Sequence, residues 1–286
     1  MKKHLIVALA AALCGVMASA QPRSAGAPVR LVAAPQGMMA PVWSPDGSKI
    51  AATGLNYTGI VVMNADGSAA RSITDAAGAG YKMTWSPDGK EVVGRTNIYE
   101  NNRLMHELKA WRADGSNARV LRAKFRGNVA PTLRAAGLNK KSAGVYDVMT
   151  SAPASAAQQI PALAKYRGEV IINPALSPDG TKVAFQIPGH GMWVINSDGT
   201  GLKSLGKGSN PSWMPDSRSI VYTVVSDNGH SYTASTLYGL DVVNGNGSVL
   251  VSANGLIPVT PAVSPDGRKV VFGDATDGSL YIVNLK

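Results

Sequence analysis

The chain has 286 residues, 45% of them apolar and 16% charged, with a formal net charge of +10. This composition excludes intrinsic disorder, which requires low hydrophobicity together with high net charge. The 31 glycines and 17 prolines imply many turns, and so a β-rich chain rather than a helix bundle.

The first twenty residues read as a secretory signal peptide. Lys2 and Lys3 form a positive start, Leu5 to Val16 a short apolar run, and Ala18-Ser19-Ala20 a small-residue cleavage site before Gln21. The run is too short for a membrane span. The one cysteine, Cys14, lies inside it, so the mature chain is expected to form no disulfide. Without Lys2 and Lys3, 26 basic residues face 18 acidic ones, a net charge of +8. The mature protein is expected to be soluble, not membrane-spanning, and periplasmic or secreted after cleavage near Ala20-Gln21. Residues 21–27 read as a short linker and 28–286 as a single repeat domain.

Internal repeats set the fold expectation. Pro41-Val42-Trp43-Ser44-Pro45-Asp46-Gly47 recurs at Met83 to Gly89, Pro174 to Gly180 and Pro261 to Gly267, and in worn form at Pro211 to Ser217. The interval between Asp88 and Asp179 is about two periods long. Pro131 to Gly137 fits there as a degraded copy, with Ala136 in the aspartate position. Successive spacings are then 42, 48, 43, 37 and 50 residues, the length of a four-stranded propeller blade.

The turn chemistry explains the motif. Proline presets φ, aspartate bonds nearby backbone, and glycine accepts positive φ. Strand-like runs follow, such as Lys49-Ile50-Ala51-Ala52 and Ile60-Val61-Val62-Met63. A second turn follows them: Ala65-Asp66-Gly67-Ser68, Ala113-Asp114-Gly115-Ser116 or Ser197-Asp198-Gly199-Thr200. The spacing therefore predicts an all-β, six-bladed propeller of four-stranded antiparallel blades. The last blade lacks its outer strand, and residues 29–34 are expected to pair with Leu280 to Val283 and close the ring. The third blade, lacking proline and aspartate in its turn, should be the least regular.

These P-x-W-S-P-D-G and A-D-G-S units resemble the WD40-like (PD40) repeats of the TolB propeller family, over about residues 28 to 286. The resemblance implies the fold. It implies no single activity, because such repeats serve scaffolds, transport components and enzyme-attached propellers alike.

In such a blade the short motif turns share one face, and the longer, dissimilar loops share the other. The binding surface is expected on the loop face. Arg95, Arg103, Lys124, Arg126, Lys165, Arg167 and Lys207 lie on or beside those loops. Arg126, Arg167 and Lys207 belong to successive connections into inner strands, with Asn128, Asn173 and Asn210 near their ends. His190 and His230, with His106, are assigned to the same face. The expected binding residues are thus Arg126, Asn128, Arg167, Asn173, Lys207, Asn210, His190 and His230. Three histidines from separate blades lack the short spacing of a metal site, so no metal and no cofactor are expected. Gly229-His230-Ser231-Tyr232-Thr233 lacks the last glycine and the strand-to-helix elbow of a hydrolase nucleophile. No catalytic residue is assigned.

The leading expectation is a non-enzymatic, monomeric binding scaffold of the cell envelope. Its partner would be an envelope or periplasmic protein, a peptide or an acidic ligand. Nucleic acid is not expected, since no basic stripe is interleaved with stacking aromatics. The alternative is a propeller lyase or hydrolase acting on an anionic saccharide.

Overall fold

The computed structural model describes residues 21–32, 37–126, 144–252 and 255–286. Residues 1–20, read as a signal peptide, Asn128 and the expected copy at 131–137 lie outside them. The described residues form five four-stranded antiparallel sheets, not six. Blade 1 holds β2 (Met38–Trp43), β3 (Lys49–Gly54), β4 (Ile60–Asn64) and β5 (Arg71–Thr74). Blade 2 holds β6 (Thr84–Trp85), β7 (Glu91–Glu100), β8 (Arg103–Arg112) and β9 (Ala118–Phe125). Blade 3 holds β10 (Ile172–Leu176), β11 (Lys182–Ile187), β12 (Gly191–Asn196) and β13 (Lys203–Gly206). Blade 4 holds β14 (Ser209–Trp213), β15 (Ser219–Asp227), β16 (Tyr232–Asp241) and β17 (Gly247–Val251). Blade 5 holds β18 (Pro258–Val263), β19 (Lys269–Asp274) and β20 (Leu280–Asn284), completed by β1 (Val29–Val32) from the start of the chain. Val29 pairs with Ile282 and Arg30 with Tyr281, so β1 covers the edge that β20 would otherwise expose.

Of the interval assigned to a sixth blade, residues 127–143 lie outside the described structure, and the described part from 144 to 166 is helical rather than stranded. Two things lengthen the interval between Asp88 and Asp179. The β7–β8 hairpin has ten residues in each strand, against six and five for β3 and β4. After it come α1 (Gly144–Ser151), α2 (Ala156–Gln159) and a 3₁₀ segment (Pro161–Tyr166). Val145, Met149, Ala156, Ile160 and Leu163 recur at helical spacing and pack on Val183, Phe185, Ile187 and Ile195 of blade 3. This wedge covers a sheet face that a neighbouring blade would otherwise bury.

The motif tryptophans join one blade to the next. Trp43 Nε1 donates to the Ala262 carbonyl of blade 5 at 3.0 Å. Trp85 donates to Val42 of blade 1 at 3.1 Å, and Trp213 to Ala175 of blade 3 at 2.8 Å. The acceptor is always the middle residue of the preceding blade's P-x-W triplet or its equivalent. Blade 5 has Val263 in the tryptophan position, and there the Val263 N–H donates to Ser212 Oγ of blade 4 at 3.1 Å. Blade 3 follows the wedge rather than a blade and carries Leu176 in the same position. Trp85→Phe removes a donor from a blade junction and should lower unfolding free energy by about 1 kcal/mol beyond any packing loss. Trp193 supplies the control, because its buried Nε1 has no partner. Trp193→Phe should cost less than Trp85→Phe in urea titrations; equal costs would refute the role of the bond.

Each Ser-Pro-Asp turn is closed by its own side chains. Ser44 Oγ donates to Asp46 Oδ1 at 2.6 Å and accepts from Lys49 N–H at 2.9 Å. Ser86–Asp88, Ser177–Asp179 and Ser264–Asp266 repeat the short bond. The Ser44 hydroxyl, with the Ser48 N–H and hydroxyl, holds the Asp46 carboxyl down to about 2. At Asp179 partial burial pushes upward, yet the bonds from Ser177 and Thr181 outweigh it and hold this carboxyl also at about 2. Both values lie below the unfolded one. Their contribution is therefore complete above the ordinary carboxylate range and is lost as pH falls toward 2. Combining Ser44→Ala with Ser177→Ala should flatten the fall of stability between about pH 4 and 2, checked by urea unfolding at stepped pH.

Candidate functional site

The inner strands β2, β10, β14 and β18 and the segment leading into β6 share a recurring feature. The residue before each P-x-W triplet or its equivalent is left-handed: Ala40 (φ 49°), Lys82 (51°), Asn173 (52°), Asn210 (53°) and Thr260 (47°). Pairing register shifts beside this residue in four of the five blades, as at a β-bulge. Asparagine tolerates this geometry; for alanine, lysine and above all threonine it is strained by about 1–3 kcal/mol. The five residues stand where inner strands begin, on the loop face. Neighbours touch across blades: Ala40 N–H donates to Thr260 Oγ1 at 3.1 Å, and Asn173 Nδ2 to Asn210 Oδ1 at 2.9 Å.

The structure thus brings Asn173 and Asn210 together. Arg126 follows β9, exposed, with Nε 3.3 Å from Met105 Sδ. Arg167 follows the 3₁₀ segment and Lys207 lies between β13 and β14; both are exposed. His190, in the β11–β12 turn, lies 3.6 Å from Glu169 and against the Tyr166 ring. His230 is exposed in the β15–β16 turn, its N–H bonded to Asn228 Oδ1. His106 departs from expectation. It is not a loop residue but is buried in β8, beside Arg95 and Phe125. Among the described residues, no group of three His, Cys, Asp or Glu is arranged to hold a metal ion.

Charge is divided between the faces. Nine of the eighteen carboxylates occupy the motif turns: Asp46, Asp66, Asp88, Asp114, Asp179, Asp198, Asp216, Asp241 and Asp266. On the loop face Glu100 is paired with Lys124 at 2.7 Å and Asp277 with Arg30 at 2.6 Å. Asp274 accepts the Ile257 N–H at 2.7 Å. Arg126, Arg167 and Lys207 are left without a carboxylate partner.

Sequence reasoning passed over a cluster at the junction of blades 1 and 2. Tyr57 and Tyr81 meet edge to face at 5.1 Å. Arg95 lies over the Tyr81 ring at 4.1 Å, and Lys82 Nζ over it at 5.5 Å. Burial raises the Tyr57 phenol, and the phenols of Tyr81 and Tyr232 add to it. The segment carrying Tyr81 is held from both sides. Gly80 N–H donates to the Tyr57 carbonyl at 3.1 Å, and Asn97 N–H to the Ala77 carbonyl at 2.9 Å. A Cβ at Gly80 would strike Thr53, and one at Gly94 would strike the Ala79 carbonyl. Alignment of the five repeats could have revealed Lys82, since it is the one charged residue in that position.

No protein-family model matches the sequence, and no curated protein does. Solved structures do match. The β-propeller domain of Cps50 (Swd1) from Myceliophteria thermophila is 10% identical with a TM-score of 0.51, over 91% of this chain and 100% of that one. The chain is a β-propeller. TolB from Acinetobacter baumannii is 16% identical with a TM-score of 0.37, over 88% of this chain; the match spans only 55% of that TolB. Oligogalacturonate lyase from Vibrio parahaemolyticus is 13% identical with a TM-score of 0.45, over 89% of this chain and 92% of the lyase. No helix among the described residues of this propeller is long and apolar enough to cross a membrane.

Proposed function

We propose that this propeller is an exported, non-enzymatic binding module of the cell envelope, and that its loop face recognises a protein partner of acidic character. The observation that carries the reading is a set of loop-face cations with no carboxylate partner among the described residues. The turn face holds nine aspartates, while the loop face keeps Arg126, Arg167 and Lys207 free of carboxylate partners. A field of this kind speeds encounter with an acidic surface and loses strength with salt. Asn173 and Asn210 add neutral hydrogen bonding beside it. Recognition at this face uses a rigid scaffold and needs neither metal nor cofactor, and the module works as a monomer.

Reversing charge at Arg126, Arg167 and Lys207 together should slow association with an acidic partner captured from envelope extract. The drop in rate should be roughly tenfold at low salt, with a flatter salt dependence, and melting should be unchanged. Reversal at Lys49, Lys90 and Lys269, beside the motif turns, is the control. If the control slows association and the loop triple does not, the face is wrong. Measured turnover of an oligogalacturonate would overturn the non-enzymatic reading. Export itself is checked by intact mass: the secreted chain should begin at Gln21, and a lipid-modified Cys14 at its start would contradict the cleavage.

A further inference from the structure

The five blades allow a comparison within one chain. Two positions recur in every blade: the left-handed residue that leads into the inner strand, and the fifth residue of the second strand. Asn173 and Gln186 occupy them in blade 3, and Asn173 Nδ2 donates to Gln186 Oε1 at 3.3 Å. The pairs elsewhere are Ala40 and Thr53, Asn210 and Thr223, and Thr260 and Gly273. All are neutral. Where the second residue has a side chain, its polar atoms are used within the blade: Thr53 Oγ1 donates to the Gly59 carbonyl at 2.8 Å, and Thr223 Oγ1 bonds Ser209 Oγ at 3.1 Å. Blade 2 alone fills both positions with cations, Lys82 and Arg95.

Those two charges are not neutralised. All eighteen carboxylates lie in described segments, and none is bonded or ion-paired to Lys82, Arg95 or His106. Arg95 spends one N–H on His106 Nε2 at 3.3 Å, and its buried Nε has no partner. A guanidinium can only donate, so His106 accepts at Nε2 and carries its proton on Nδ1, which is also buried and unpartnered. Burial, and then Arg95, lower Lys82; burial lowers Arg95 too. Lys82 nevertheless remains solvent-accessible. Two partly desolvated like charges, side by side, are costly unless something anionic joins them. Arg95 Cζ lies 4.1 Å from the Tyr81 ring centroid, and beyond the one bond to His106 no partner among the described residues takes its remaining N–H donors, which suit an oxyanion.

We infer that Lys82 and Arg95, walled by Tyr57 and Tyr81, form an oxyanion-binding site on the loop face that receives a carboxylate or phosphate group. The identity of the partner that brings the group rests on the binding-module reading; the anion chemistry does not. His106, packed against the Phe125 ring, bonds Arg95 and acts as a positioning residue.

The test follows the Arg95 Nε–H resonance of ¹⁵N-labelled whole protein, assigned by its loss in Arg95→Gln. Sodium acetate and inorganic phosphate are titrated separately at constant ionic strength, with chloride as the reference. A saturating shift with either oxyanion supports the site, and the stronger of the two names the source. Lys82→Asn keeps a residue that tolerates the left-handed backbone, so the fold is retained. It should weaken that saturation roughly tenfold. A shift that is linear, matched by chloride, or unaffected by Lys82→Asn overturns the inference. Partner capture plays no part in this readout, so the site and the loop-face reading fail separately.

Discussion

A four-stranded blade has two apolar faces and can bury neither alone, so everything here depends on how neighbouring blades are joined. The indole-to-carbonyl bond is the recurring joint. It fixes the stagger of one inner strand against the next, because its acceptor is one particular carbonyl of the preceding triplet. Trp43, Trp85 and Trp213 each obey it, and Val263 reaches Ser212 instead through its own backbone N–H. Where the preceding element is a helical wedge, no equivalent carbonyl stands in that register, and Leu176 replaces the tryptophan. The wedge then contributes bulk rather than register: Met149, Ile160 and Leu163 fill against Phe185 and Ile187 without any demand on strand alignment.

This distinction explains what could be read from the sequence. The five copies that carry Ser-Pro-Asp or Met-Pro-Asp correspond to the five blades. Each such copy closes a turn by specific bonds, so its residues cannot drift far. The sixth rested on distance and on a degraded copy, Pro131 to Gly137, whose turn has neither proline nor aspartate. Length is a weak signal, since the β7–β8 hairpin grows without changing its register. The stretch Ser151 to Gln159, small and polar by strand standards, is rich in alanine and continues a helical apolar spacing from Val145 to Leu163. Tested against a period of 3.6 rather than 2, it would have pointed to helix. The pairing of residues near Val29 with Leu280 to Ile282 was legible because an unmatched outer strand at one end met an unmatched edge at the other.

The candidate site was legible only in part, for a related reason. Basic loop residues can be counted in a sequence, but whether each is neutralised depends on which carboxylates the fold brings near. Arg30 and Lys124 have partners; Arg126 and Lys207 do not. His106 was misplaced because the strands of blade 2 run longer than those of its neighbours, which carries that residue out of the loop and into the sheet. Asn173 and Asn210 were found because they precede a proline in a repeat and so could be placed at the start of an inner strand.

The repeat chemistry also determines which charges can be informative about a ligand. The turn aspartates are required to close turns, so they are present whatever the protein binds. Lysines and arginines such as Lys49, Lys90 and Lys269 flank the same turns, so a count of charges by face reflects the repeat itself. A basic loop face alone is therefore weak evidence of recognition, and a departure from the repeat is stronger. Lys82 and Arg95 close no turn and join no blades. Four other blades fill the same two positions with neutral residues and fold alike. The cost of desolvating two adjacent cations is local to blade 2, and nothing in the packing of that blade requires it. A charge that four other blades do without, held against Tyr81 with no carboxylate partner, is explained by what it meets rather than by what it supports.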